Sequence, residues 1–113
     1  MTAVPAYLTL QQRLLLDELR HTRGSPIPVE RIILALYGNR HDGGPMDPAA
    51  TVHTQIRNLR RALAPYGARI LTIGLGLGAQ GYMIDPETLD QVEEALKAFY
   101  DADLVRARAR LAG

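Results

Sequence analysis

The residues of this chain best equipped for chemistry stand close together between positions 51 and 61. Thr51, Thr54, Gln55, Arg57, Asn58, Arg60 and Arg61 lie within DPAATVHTQIRNLRRALAPYG (47–67), and no carboxylate follows Asp47 in that stretch. An amide carries a donor and an acceptor and can grip the N6/N7 edge of adenine in a bidentate way, while a guanidinium forks onto a phosphate. These groups recognise a polyanion; they do not make or break bonds. Other candidates for chemistry are weaker. His21, His41 and His53 have no spacing suited to a metal and no cysteine to accompany them, so surface or loop histidines are expected. Gly76 to Gly81 matches G-x-G-x-x-G literally, but a dinucleotide site needs that motif between a strand and a helix. Here Tyr82-Met83-Ile84 continues as a strand and Asp85-Pro86 breaks it. No nucleophile–base pair is found, and the chain is not read as an enzyme or as the holder of a cofactor or metal.

The seven polar residues need a helix to carry them. Asp47 can cap its first turn, and Pro48 suits the first helical position, where a missing N–H costs nothing. Val52, Ile56, Leu59 and Leu63 recur at spacings of four, three and four, one apolar stripe. Pro65 and Gly67 end the element. A helix over 48–65, apolar behind and cationic with amides in front, is expected to enter a groove of DNA. Asn58 and Gln55 either read bases, at about 1–3 kcal/mol of discrimination per bidentate pair, or are solvated amides. Arg57 and Arg61, one turn apart, are placed to straddle a phosphate. Arg60 points elsewhere, and either touches phosphate or pairs with an acid inside the fold.

The supporting elements follow in order. Residues 1–8 are a short strand or arm, because Val4-Pro5 disfavours helix. Thr9 and Gln12 form a T-x-x-Q capping box, and Leu10, Leu14, Leu15 and Leu19 mark a helix to about Arg20. Gly24-Ser25-Pro26 is a turn. A short helix from about Val29 turns Ile32, Ile33 and Leu36 inward and ends at Gly38. Gly38 to Met46 is a loop, longer than the three or four residues of a tight helix-turn-helix. After the 48–65 helix, residues 70–76 and 81–84 form a β-hairpin. Helix, helix, loop, helix, hairpin is the order of a winged helix. Tyr82 either packs under the hairpin, the favoured reading, or donates to phosphate. Asp85-Pro86 then opens a helix reaching about Leu111.

A chain of 113 residues without cysteine holds one modest core and no disulfide framework. No apolar run approaches the ~20 residues of a membrane span, and MTAVPAYLTL lacks the features of a signal peptide. A cytoplasmic protein is expected. The net charge of +1 says nothing about partners, but its distribution does. Residues 1–84 carry nine arginines against five acids, and residues 85–113 carry four basic residues against seven acids. The first part suits phosphate; the second does not.

At this point the chain resembles a known family. L-T-x-Q-Q-x-x-L-L (8–16), P-V-E-R-I-I-L-A-L-Y-G (28–38), V-H-T-Q-I-R-N-L-R-R-A-L (52–63) and I-L-T-I-G…G-Y-M-I (70–84) follow the OmpR/PhoB-type winged-helix domain. That domain is the DNA-binding half of many bacterial two-component response regulators. The resemblance implies a mainly α fold with a small hairpin wing, a recognition helix at 48–65 and a transcription regulator reading double-stranded DNA. It implies that Gln55 and Asn58 face bases or nearby backbone. Thr51, Arg57 and Arg60 would meet phosphates, and Thr72 would approach the backbone near the wing. It also implies a bacterial or phage-type, nucleoid-associated setting. The chain departs from the family in having glycines, Gly74 to Gly78, where a minor-groove arginine is common, and a wing about four residues longer. It lacks a receiver domain and adds the last helix. Receiver-less winged helices occur in phage and mobile-element activators.

The chain is therefore read as a winged-helix domain over 1–84 and a terminal helix over 85–113. The stripe of that helix, Leu89, Val92, Leu96, Phe99, Tyr100 and Leu104, either covers the core or binds a partner. The acidic polar face from Asp85 to Asp103 favours a second copy, RNA polymerase or another regulator. The alternative to DNA binding is a protein-interaction module using the apolar wing and this helix.

Overall fold

A computed structural model describes residues 8–22, 25–38, 44–76 and 79–112. Among them stand four α-helices and a three-stranded antiparallel sheet, and no helix is long and apolar enough to cross a membrane. The expected arm over 1–7, residues 39–43 of the expected loop, Gly24, His41 and the hairpin tip at 77 and 78 lie outside the described residues.

Helix α1 spans Leu10–His21. Thr9 caps it as its sequence predicts: the Gln12 N–H donates to Thr9 Oγ1 at 3.2 Å, and the Thr9 N–H donates to Gln12 Oε1 at 2.9 Å. The inward face differs from the expected one. Leu15, Leu16 and Leu19 are fully buried, whereas Leu10 is 73% and Leu14 39% exposed. The run Leu14-Leu15-Leu16 leaves the phase of this helix ambiguous in sequence. Burying Leu15, Leu16 and Leu19 together fixes the rotation that turns Leu10 and Leu14 to solvent, and in that rotation Arg13 and Arg20 reach Asp103 and Glu93 of the last helix.

Strand β1 is only Ile27–Pro28, too short for an alternating pattern to betray it. It pairs at the sheet edge with Tyr82 and Gly81, where the missing N–H of a proline is tolerated. Helix α2, Val29–Tyr37, buries Ile32, Leu36 and Tyr37, with Ile33 partly covered. Gly38 ends it at a close approach: a Cβ there would lie 2.5 Å from the Leu34 carbonyl oxygen.

Helix α3 covers Pro48–Leu63 and runs into a 3-10 turn at Ala64–Tyr66. Gly67 closes it with φ 78°, a left-handed conformation that costs a Cβ-bearing residue far more. Strands β2 (Ile70–Gly76) and β3 (Ala79–Ile84) pair in register Ile70 to Ile84 and Thr72 to Tyr82, with an irregularity between Gly74 and Gly76. The sheet order is β1-β3-β2.

A polar knot joins β3 to the last helix. Arg69 Nε and Nη2 donate to Asp85 Oδ2 at 3.0 and 2.6 Å. Asp85 Oδ1 accepts the Glu87 N–H at 3.1 Å, and Thr88 Oγ1 donates to the Asp85 carbonyl at 2.9 Å. This start was legible in Asp85-Pro86. A 3-10 turn at Pro86–Thr88 leads into α4, Leu89–Ala112. The first half of α4 belongs to the core. Val92, Ala95 and Phe99 are buried with α1, α2, α3 and the sheet, and Phe99 meets Tyr66 edge-on with centroids 5.7 Å apart.

The six-residue stripe expected to cover either core or partner is thus divided. Val92 and Phe99 are core residues, and Leu89 and Leu96 pack partly against the core. Tyr100 and Leu104 are exposed. The partner reading fails for the four core-facing positions, because α1 and the Tyr66 turn already cover that side.

Replacing Leu16 by alanine should lower unfolding free energy by about 2–5 kcal/mol. Leu10→Ala should stay within about 0.5 kcal/mol of the parent. Urea denaturation of the two variants checks the phase of α1.

Candidate nucleic-acid interface

Helix α3 sorts its side chains by direction. Its N-cap is formed as expected, with the Ala50 N–H donating to Asp47 Oδ1 at 3.1 Å. Val52, Leu59 and Leu63 are fully buried and Ile56 nearly so. That stripe fixes the rotation of the helix and hence where every polar residue points.

On the flank toward the sheet, Arg60 is hydrogen-bonded to the hairpin through Nε and Nη2. Its Nε and Nη2 donate to the Ile70 carbonyl at 3.1 and 2.8 Å, and Nη2 donates to Thr72 Oγ1 at 2.8 Å. The guanidinium carbon sits 5.8 Å from the centre of the Tyr82 ring. Of the two roles open to Arg60, an acid partner is not found among the described residues. Arg60 is a strut between α3 and β2, and it takes Thr72 with it.

His53, two turns before Arg60 on the same flank, hydrogen-bonds through Nδ1 to the Tyr82 hydroxyl and meets that ring edge-on with centroids 5.7 Å apart. It is half-buried, so the expectation of a surface histidine gives way to a packed one. Tyr82 is a buried aromatic beneath the hairpin, the favoured of its two readings. Burial pushes its phenol above the ordinary value of 10.0, and the nearby Arg60 charge works against that shift.

The flank toward α1 holds Gln55 and Asn58, both half-buried. Gln55 Nε2 donates to Gln11 Oε1 at 3.3 Å, and the same oxygen accepts from the Tyr37 hydroxyl at 3.1 Å. Gln55 is therefore tied to the helix layer. Thr51 and Thr54 turn their hydroxyls back to the carbonyls of Asp47 and Ala50 at 3.0 and 3.1 Å, the usual way a hydroxyl is satisfied within a helix.

The outermost line of α3 is Ala50, Thr54, Arg57 and Arg61, all exposed. Arg57 and Arg61 form no ion pair among the described residues. Three other arginines are matched with acids, Arg13 with Asp103, Arg20 with Glu93 and Asp17, and Arg69 with Asp85, whereas Arg31, Arg108 and Arg110, like Arg57 and Arg61, form no ion pair among the described residues. The Arg20–Glu93 fork, with both bonds at 2.9 Å, raises the Arg20 pKa further, chiefly through the Glu93 hydrogen bond. The front of α3 thus carries two cationic groups, Arg57 and Arg61, without a carboxylate partner among the described residues.

Of the eight residues expected at the interface, the structure brings Thr54, Arg57 and Arg61 to the front, with Thr51 and Asn58 at its margin. Gln55, Arg60 and Thr72 are hydrogen-bonded to other elements of the fold, with Thr72 itself exposed. Sequence reasoning missed the His53–Tyr82–Arg60 cluster. Its only local trace is the seven-residue spacing of His53 and Arg60, which places both on one flank two turns apart. No protein-family model matches this chain, and no curated protein or solved structure does so.

Two measurements check the strut. Arg60→Ala should cost about 1.5–3 kcal/mol in urea unfolding, the range for hydrogen bonds to a charged group. Arg60→Lys should recover little of it, because an ammonium cannot reproduce the planar fork. In an alkaline titration, Tyr82→Phe should remove a component of the phenolate absorbance that rises above pH ~10. Because the folded-state pKa is raised, the Tyr82 contribution is complete below pH ~10 and is lost as pH climbs through the folded value.

Proposed function

We propose that this protein is a sequence-specific double-stranded DNA-binding transcription regulator built as a winged helix, with α3 in the major groove and the β2–β3 hairpin as its wing. The observation that carries the reading is the front of α3, an exposed helix face bearing Arg57 and Arg61 without any carboxylate partner. A major groove about 12 Å wide admits one α-helix, and an unpaired cationic line along such a helix matches the phosphates that border the groove. Arg57 and Arg61, one turn apart, take phosphate oxygens. Thr54 lies one turn before Arg57 on the same line, facing the base edges, and Asn58 at the margin offers its amide to a base.

The struts described above suit this work. A groove-reading helix has to be held at a fixed angle to the wing, and Arg60 ties α3 to β2 through a carbonyl and a hydroxyl at once. Gly76 at the end of β2 has φ 85°, a left-handed conformation that favours glycine. The acidic α4 packs against α1 and leaves the front of α3 uncovered.

Binding to a duplex selected from random sequence should weaken steeply with salt, with a log–log slope of about −0.9 per neutralised phosphate. The double variant Arg57→Ala/Arg61→Ala should reduce the magnitude of that slope by about 2 and weaken binding to all sequences. Asn58→Ala should relax preference at one base pair by about 1–3 kcal/mol. Arg69→Ala, at an arginine already paired with Asp85, should leave the slope unchanged. No duplex enriched by selection, or equal slopes for the parent and the double variant, would overturn the reading.

A further inference from the structure

Beyond Phe99 the last helix leaves the core but keeps an apolar line. Tyr100 is 60%, Leu104 38% and Leu111 88% exposed, with exposed Ala107 between the last two. Every described side chain from Ala107 to Leu111 faces solvent. An isolated helical end of this length is marginal in water, and large apolar side chains in a row along one side of it call for a cover.

The identity of that cover follows from spacing and charge. Tyr100, Leu104, Ala107 and Leu111 recur at four, three and four, a series that reads the same in either direction. Two copies laid antiparallel therefore match, with a two-fold axis between positions 105 and 106. Tyr100 meets the partner's Leu111, and Leu104 meets the partner's Ala107, large against small. A parallel pair would instead oppose Ala107 to Ala107 and leave a gap. Charge agrees with this direction. Residues 89–101 hold Asp90, Glu93, Glu94 and Asp101 against Lys97, whereas residues 104–112 hold Arg106, Arg108 and Arg110 and no acid. In the antiparallel register, Asp101 flanks the seam opposite the partner's Arg108, twice by symmetry. Neither Asp101 nor Arg108 has an ion pair among the described residues.

We propose that the C-terminal half of α4 is a homodimerisation surface, on which a second copy of this chain packs antiparallel through Tyr100, Leu104, Ala107 and Leu111. The contact is isologous, so it closes at two copies. Leu10 and Leu14 add apolar surface nearby, since the Arg13–Asp103 ion pair holds that end of α1 against α4. A seam of this length buries less than the ~1,200 Å² of a standard interface, so the association is reversible and concentration-dependent.

Sedimentation velocity of the full chain without DNA, from low micromolar to several hundred micromolar, should show a monomer–dimer equilibrium. Leu104→Glu and Leu111→Glu should each weaken it at least ~10-fold with unchanged thermal unfolding at low concentration, because both positions are exposed. Asp101→Arg should weaken it, and Asp101→Arg/Arg108→Asp should restore it. The native chain has no cysteine, so oxidation reports direction: mixed Leu104→Cys and Ala107→Cys proteins should cross-link faster than either alone. A monomer throughout the range overturns the proposal, as does faster cross-linking of Leu104→Cys with itself. Arg57→Ala/Arg61→Ala should dimerise like the parent, so loss of DNA binding and loss of dimerisation are separable.

Discussion

Helix α3 is held by four side chains. Val52, Ile56, Leu59 and Leu63 are essentially removed from solvent, and burying an aliphatic side chain of this kind is worth about 1.5–3 kcal/mol. No other rotation of the helix buries all four. Fixing that rotation also fixes three polar lines that have nothing apolar about them. One meets the sheet, one meets α1, and one meets water. The sheet-side line is made rigid by Arg60, whose planar donors reach a backbone carbonyl and a hydroxyl on β2 while its face lies over Tyr82. A lysine has no such geometry, so an arginine here is structural although its sequence neighbours, Arg57 and Arg61, are not.

The same division explains why net charge is a poor guide for this chain. An overall +1 averages over regions with different tasks. Arg13 and Arg20 are spent on Asp103 and Glu93, where they fasten α1 to α4, and Arg69 is spent on the Asp85 knot at the sheet exit. Exposed pairs such as Arg20–Glu93 contribute little to stability, on the order of 0–1 kcal/mol each. Their larger effect is on the field. By neutralising acids and arginines on the α1–α4 side, they leave Arg57 and Arg61 on the front of α3 as positive charge that no ion pair among the described residues offsets.

What could be read in the sequence was what is decided locally. The Asp47-Pro48 start and Gly67 end of α3, the Thr9–Gln12 box, the hairpin and the Asp85-Pro86 start all depend on residues within a turn of one another, and each stands where expected. What could not be read depends on a distant partner. Strand β1 exists because Tyr82 and Gly81 offer it an edge. The phase of α1 was hidden by three consecutive leucines and set by the burial of Leu15, Leu16 and Leu19 in a core built from elements distant in sequence. His53 looks like a surface histidine until Tyr82, 29 positions on, supplies a hydroxyl. The front of α3 was legible as a set of residue types. Which members stay free was not, because Gln11, Ile70 and Thr72 claim Gln55 and Arg60 through tertiary contacts.

The last helix illustrates a further limit of periodicity. Leu89, Val92, Leu96, Phe99, Tyr100 and Leu104 read as one stripe, yet the helix changes function between Phe99 and Tyr100. Adjacent helical residues point ~100° apart, so a stripe that admits both is wide enough to contain two faces. Up to Phe99 the inward face covers α1 and Tyr66. From Tyr100 a neighbouring face continues past the body of the domain. Because one unbroken helix carries both faces, no linker intervenes between the core and the proposed seam. A second copy seated there would be held at an angle fixed by the fold. The two outward faces of α3 would then stand in one rigid relation, and a pair of such domains on DNA would tolerate a single half-site spacing and orientation.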